Sequence, residues 1–262
     1  MARAKRHYLP GHIWHITHRC HKRAFLLKFA KDRNRCLHWL YQAKKRYGLI
    51  ILNYMVTSNH IHLLVAGDGA REVIPKSMQL IAGRTGQEYN QRKKRNGAFW
   101  EDRYHATAIE DGDHLFRCFA YIDLNMVRAG VVEHPSQWPY SGYNEIQNPR
   151  RKNVLIDYNK FMELVGTNNY EEAKLSHKGW VDDYLDNDNG RDSKWSKSIA
   201  VGGKEFVDEM KSRLGALAKG RMVKKAEDNY QLREPSIFYN DLFKAKKADI
   251  GSENTYIWDI NL

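Results

Sequence analysis

The order of the predicted strands and helices over residues 12–109 is the feature that most limits the fold. Two long segments, 30–47 and 73–92, carry apolar residues at helical spacing. Four short segments rich in β-branched and aromatic residues surround them, at 12–18, 49–56, 60–66 and 105–109. The order strand, helix, strand, strand, helix, strand predicts a ferredoxin-like βαββαβ unit, which is an α+β fold with an antiparallel sheet and helices on one face.

The chain changes character near residue 150. A further helix is predicted over residues 114–128, and Pro135 and Pro139 then close the first unit. Later segments have the spacing of polar helices, at 158–165, 170–184 and 204–217. We therefore expect a first domain over residues 1–150 and a helical C-terminal extension over residues 151–262.

Positive charge is concentrated at the N-terminal end of the sequence. Residues 1–48 contain 13 Lys and Arg against one acid, Asp32, so they carry the whole net charge of +12. Such a concentration is typical of a protein that contacts a nucleic-acid backbone, although a solvated basic surface is the alternative. The candidates for DNA contacts in this segment are Arg3, Lys5, Arg6, Arg19, Lys22 and Arg23.

Composition argues against several other classes of protein. Apolar residues make up 42% of the chain, which is enough for a packed core and argues against disorder. Cys20, Cys36 and Cys118 are scattered without C-x-x-C spacing, so neither a disulfide framework nor a cysteine zinc site is predicted. There is no run of 18 apolar residues and no hydrophobic leader, and we expect a cytoplasmic protein.

A His-x-His stretch lies at the start of the predicted strand 60–66. Alternation places His60 and His62 on one face and Ile61 and Leu63 on the other. Two adjacent imidazoles can be half of a metal site, but they also occur on ordinary amphipathic strands. The histidines at 12, 15, 18 and 21 are spaced by three and fit no single strand face, so we interpret most of them as polar, phosphate-facing or incidental positions and not as a second metal cluster.

The predicted helix 114–128 has two separate stripes. At about 100° per residue, one stripe is apolar and faces the core: Leu115, Phe119, Ile122 and Met126. The second stripe, centred about 135° away, is formed by Arg117, Tyr121, Asn125 and Arg128. A tyrosine oxygen can attack a phosphodiester, arginines can hold phosphate, and an amide oxygen can join two histidines on a metal ion. An ordinary surface helix is the alternative, but His60, His62 and the basic N-terminal part favour a DNA-processing site.

Several motifs occur in one order along the chain: NHIHLL at 59–64, FW at 99–100 with RY at 103–104, YIDLN at 121–125 and VRAG at 127–130. In this order the sequence resembles the single-tyrosine HUH transposases, and among them the REP-associated tyrosine transposases. Further segments fit the same family, at 8–11, 138–141, 200–203 and 230–234. Two positions depart from the pattern. Thr57 and Ser58 replace Met-Pro, and Met126 replaces a proline whose loss allows the helix to continue.

The resemblance implies a transposase that nicks and rejoins single-stranded DNA, at hairpin-flanked sites, through a 5′-phosphotyrosine intermediate on Tyr121. It further implies that His60 and His62, with Asn125 as third ligand, hold a divalent metal. Two imidazoles suit manganese or zinc better than magnesium, whereas the family implies magnesium or manganese. We expect Mg²⁺ or Mn²⁺, with Arg103, Arg117 and Arg128 as additional DNA contacts.

Two other functions compete with this hypothesis. A catalytically inactive DNA-binding regulator on the same fold would keep the basic surface and lose the chemistry. A zinc hydrolase would also use His60 and His62, but the sequence offers no helical H-x-x-x-H and no obvious carboxylate base beside the pair. Both a monomer and a homodimer are compatible with the sequence.

Overall fold

The computed structural model describes residues 9–186, 193–226 and 229–234. It contains the six elements of the predicted unit: β1 (Ile13–Arg19), α1 (Ala30–Tyr47), β2 (Ile50–Val56), β3 (His60–Ala66), α2 (Val73–Arg92) and β4 (His105–Ile109). The four strands lie in the order β2-β3-β1-β4, and each neighbouring pair is antiparallel. This is the ferredoxin-like arrangement, so the predicted fold class is confirmed.

Local chemistry explains where the first helix ends and where the β2–β3 turn forms. Gly48 has a φ of 69°, and its amide donates to the carbonyl of Lys44 at 2.9 Å. A residue with a side chain is strained in this left-handed conformation, which is why glycine terminates the helix. In the turn, the backbone amide and the hydroxyl of Thr57 both donate to the carbonyl of His60, at 3.0 and 2.9 Å.

Helices cover both faces of the sheet. On one face, His18 stacks on Trp100, and the indole nitrogen of Trp100 donates to the carbonyl of Ala82 in α2. On the other face, His15 and His62 meet Tyr121 of α3 (Asp113–Asp123). The helices of the βαββαβ unit pack together on the first face, and α3 brings its polar stripe onto the second.

The predicted helix 114–128 is interrupted. α3 ends at Asp123 and α4 (Asn125–Arg128) follows, with Leu124 between them at φ −82° and ψ 5°. The guanidinium of Arg128 donates to the carbonyl of Tyr121. The expectation of one continuous helix was therefore wrong, because a side chain competes for the helical hydrogen bonding of this turn.

The C-terminal extension contains the predicted helices and three strands besides. α5 (Gly142–Gln147) ends before the extension begins. The helices of the extension are α6 (Tyr158–Val165), α7 (Tyr170–Asp186), α8 (Lys194–Lys197) and α9 (Lys204–Leu214), and its strands are β5 (Ala200–Gly202), β6 (Met222–Ala226) and β7 (Asn229–Arg233). β5 pairs in parallel with β4, and the seven-stranded sheet has the order β2-β3-β1-β4-β5-β7-β6. The description of the extension as helical was incomplete, because strands this short carry almost no periodicity.

The sheet thus continues across residue 150, where we predicted the boundary between the two domains. Within the parts of the chain that the structure describes, no helix has the length and apolarity that crossing a bilayer requires.

Candidate functional site

A cavity of about 310 Å³ opens on the sheet face that carries the His-x-His pair. Its wall is built by the end of β1, the start of β3, the segment before β4, the α3–α4 turn and Ser196 of the extension. The predicted site residues among those that line it are His60, His62, Tyr121, Asn125, Arg19, Arg103 and Arg128. The two histidines and the tyrosine helix, about 60 residues apart in sequence, therefore meet at one cavity.

His60 and His62 lie side by side, with ring centroids 4.8 Å apart. The Nδ1 of His60 is 2.7 Å from the Oδ1 of Asn59, and the amide nitrogen of Asn59 donates to the carbonyl of Arg23 at 3.1 Å. The bond to Arg23 orients the side-chain oxygen of Asn59 toward His60, so the Nδ1 of His60 donates a hydrogen bond to that oxygen. The unshared electron pair of the His60 ring is therefore on Nε2, which can bind a metal.

His62 is 3% exposed, and each of its two ring nitrogens faces another side chain. Its Nδ1 lies 2.9 Å from the Nε2 of His15, and its Nε2 lies 3.1 Å from the amide nitrogen of Asn125. Burial, followed by the neighbouring His60 and His15, lowers the pKa of His62 well below its usual value. The ring is therefore neutral near pH 7, which is the form that binds metals.

His15 is the site residue that sequence reasoning missed. We interpreted most of the histidines spaced by three as polar, phosphate-facing or incidental, but His15 is fully buried, and burial lowers its pKa to about 3. Strand alternation puts His15 on the same face as Thr17 and Arg19, which pair with His62 and His60 across the β1–β3 ladder. Only the register of that ladder identifies His15 as a neighbour of His62, and the sequence does not reveal the register.

Tyr121 lies against the histidines on the cavity wall. Its ring centroid is 5.8 Å from that of His62 and 6.0 Å from that of His15, both edge-on. The guanidinium carbon of Arg128 lies 4.6 Å from the centre of the same ring. A tyrosine whose hydroxyl can act as a nucleophile, a cation that can hold phosphate and two imidazoles are thus adjacent.

The donor set fits a divalent metal. Among the described residues there is no group of three or more His, Cys, Asp or Glu side chains that could hold an ion, so a third protein ligand has to be of another type. Asn125 is suitably placed, because rotation of its amide about Cβ–Cγ presents the oxygen where its nitrogen meets His62. Two imidazoles and one amide oxygen suit Mn²⁺ better than Mg²⁺.

The predicted DNA-contacting arginines and lysines divide into four groups. Arg19, Arg103 and Arg128 line the cavity. Lys22 and Arg23 are exposed in the turn beside Asn59, with φ values of 52° and 57°. Arg117 is not among the lining residues. Arg3, Lys5 and Arg6 lie outside the described residues.

Comparison with known proteins supports the family resemblance. The model of the family described as "Transposase IS200 like" matches residues 9–125. No match was found among curated proteins. One solved structure, described as a REP-associated tyrosine transposase bound to a REP hairpin, is 19% identical, covering 60% of this chain and 95% of that one with a TM-score of 0.47. A putative transposase from Deinococcus radiodurans R1 is 17% identical, covering 43% of this chain and 88% of that one with a TM-score of 0.32.

Proposed function

We propose that this chain, which matches the IS200-like transposase family model over residues 9–125, nicks and rejoins single-stranded DNA at hairpin-flanked sites. In this proposal it is a metal-dependent strand transferase with Tyr121 as the nucleophile. The observation that carries the proposal is the convergence of Tyr121 with His60, His62, Asn125 and Arg128 on one cavity. The hairpin preference follows from the motif resemblance to REP-associated tyrosine transposases.

In this proposal Tyr121 attacks a phosphodiester that enters the cavity. Its phenolic oxygen forms a bond to phosphorus, and the bond from phosphorus to the 3′ oxygen of the preceding nucleotide breaks. The phenol gives up its proton, and the departing 3′ oxygen gains one to become a hydroxyl. The reverse attack by a 3′-hydroxyl rejoins the strand, and because the phosphotyrosine retains the ester bond, no nucleotide cofactor is consumed.

The neighbouring side chains bind and orient the DNA. Arg128 contacts both the ring and the backbone carbonyl of Tyr121, which supports a role in holding the phosphate that Tyr121 would attack. Arg19 and Arg103 supply further positive charge on the cavity wall. His60, His62 and Asn125 would hold the divalent ion, Mg²⁺ or Mn²⁺. When bound, that ion would polarise the phosphate and stabilise its developing charge.

The proposal is tested with a labelled single strand that carries a hairpin, incubated with the full chain and Mn²⁺. A covalent protein–DNA adduct should form, resist denaturing gel conditions and disappear in Tyr121→Phe. Tyr104→Phe is the matched control, because Tyr104 is not among the residues lining the cavity, and it should keep the adduct. If the adduct persists in Tyr121→Phe, the nucleophile is another residue.

Binding and chemistry are separated by His60→Ala. Most DNA affinity comes from backbone contacts, so this variant should retain hairpin binding and lose the adduct. Equal loss of hairpin binding and adduct formation would mean that the histidine pair has a structural role. If the wild-type chain binds the hairpin but forms no adduct, the protein is a DNA-binding regulator and not an enzyme.

A further inference from the structure

A chain of three hydrogen bonds runs from the C-terminal extension to Asn125. The carbonyl of Trp195 is 2.9 Å from the Nδ1 of His15, and the Nε2 of His15 is 2.9 Å from the Nδ1 of His62. The Nε2 of His62 is in turn 3.1 Å from the amide nitrogen of Asn125. The two imidazoles are nearly parallel, 4° apart with centroids separated by 5.1 Å.

The direction of every hydrogen bond in this chain is fixed by its ends. A carbonyl oxygen can only accept, so the Nδ1 of His15 donates to Trp195. In a neutral ring the other nitrogen then has no hydrogen, so the Nε2 of His15 accepts from the Nδ1 of His62. The Nε2 of His62 is consequently left with the electron pair, and it accepts from Asn125.

The segment that follows Trp195 is itself held in place by β4. The hydroxyl of Thr107 donates to the carbonyl of Ser198 at 2.6 Å, and the Nε2 of His105 lies 2.8 Å from the same oxygen. The amide of Ala108 donates to the carbonyl of Ile199 at 2.7 Å. The segment that contains Trp195 is thus fixed to the strand next to β1.

We propose that His15 is a positioning residue that holds His62 in its Nδ1–H tautomer, with Nε2 directed at the metal position, and that the Trp195 carbonyl sets the tautomer of His15. The inference rests on the proposed metal site. It gives the C-terminal extension a role at that site through a backbone atom. Partners on the second nitrogen of a metal-binding histidine fix ring orientation and tautomer, and their loss typically costs about 10–100-fold in metal affinity.

Two variants of similar size test the role of His15. His15→Leu fills the site without an acceptor, and Mn²⁺ affinity measured by calorimetry should fall about 10–100-fold, together with adduct formation. His15→Gln places an amide oxygen near the former Nε2 and can still accept from His62, so it should restore the affinity to within about tenfold of wild type. Melting temperatures of both variants report whether they fold.

A spectroscopic measurement on the wild-type chain keeps the inference testable even if both variants unfold. Long-range ¹H–¹⁵N spectra distinguish the two neutral tautomers, and His62→Asn identifies the His62 signals by their loss. His15 and His62 should both be in the Nδ1–H form. An Nε2–H or doubly protonated His62 overturns the inference, as does an unchanged Mn²⁺ affinity in folded His15→Leu.

These outcomes are distinct from failure of the proposed function. If the wild-type chain binds no Mn²⁺ and forms no adduct, the metal-dependent transferase is refuted, together with the metal-directed part of this inference. If the wild type binds Mn²⁺ and cleaves DNA but His15→Leu does so equally well, only the role assigned to His15 is refuted.

Discussion

His177 and Asp123 form a fully buried pair that connects the extension to α3, the helix that carries Tyr121. The Nε2 of His177 in α7 is 2.8 Å from the Oδ2 of Asp123, and both side chains are completely buried. The other carboxylate oxygen accepts from Asn53 at 3.1 Å, and the Nδ1 of His177 accepts from Gln147 at 3.0 Å. Since its Nδ1 accepts, His177 donates its only ring hydrogen to Asp123.

His177→Leu removes that donor while keeping the site filled. Removing the hydrogen-bond donor of a buried acceptor typically costs about 1–3 kcal/mol, and more when the acceptor is charged, because the desolvation of the acceptor is no longer compensated. The acceptor here is a carboxylate that keeps its hydrogen bond from Asn53, so the expected loss is about 3 kcal/mol. At about 2–4 °C per kcal/mol for a chain of this size class, the melting temperature should fall by roughly 6–12 °C.

Urea unfolding of wild type and variants measures this loss. Lys174→Ala is the matched control on the same helix, since its ion pair with Glu171 is largely exposed and should contribute at most about 0.5 kcal/mol. The double variant Asp123→Leu with His177→Leu should be less destabilised than the sum of the single variants. A loss below about 1 kcal/mol in His177→Leu, or strict additivity, would refute the reasoning.

Two further predictions concern DNA contacts and buried thiols. Arg103→Ala should lower the affinity for single-stranded DNA and reduce the slope of log K against log salt by about 0.7. Arg117→Ala should change neither, because Arg117 does not line the cavity. Fluorescence anisotropy at several salt concentrations measures both quantities, and equal losses in the two variants would contradict the assignment of Arg103 to the DNA-binding cavity. Burial raises the pKa of Cys20 and of Cys36 to about 12, so neither thiol should react with Ellman's reagent at pH 8 until the chain is unfolded. The free energy of unfolding should decrease as pH rises above about 9, because the thiols lose their protons in the unfolded chain before they do so in the folded one. Rapid reaction of the native protein with Ellman's reagent would contradict the burial of the two thiols.

The βαββαβ unit could be predicted because the residues that specify each of its helices and strands lie close together in the sequence. Gly48 marks the end of a helix, and the alternation around His60 and His62 fixes a strand face without knowledge of its partners. The helical wheel placed Tyr121 and Asn125 on one stripe, and both line the cavity. Each of these inferences needs only the spacing of residues within one element.

The supporting contacts could not be predicted because they depend on pairing between distant elements. His15 acquires its role from the β1–β3 register and from Trp195, which lies 180 residues away in the sequence. The break at Leu124 depends on a side chain of the following turn, and β5 is only three residues long. Neither hydrophobic periodicity nor motif order contains this information.

The parallel pairing of β4 with β5 has a consequence for how the sheet meets other molecules. In the ferredoxin-like unit alone, β4 would be an outer strand with open amides, the kind of edge onto which a second polypeptide can add. Here the amides of Ala108 and Glu110 donate to the carbonyls of Ile199 and Val201, at 2.7 and 3.1 Å. The edge of β4 is thus paired with β5 of the same chain. A second copy could pair with β4 only after β5 had separated from it.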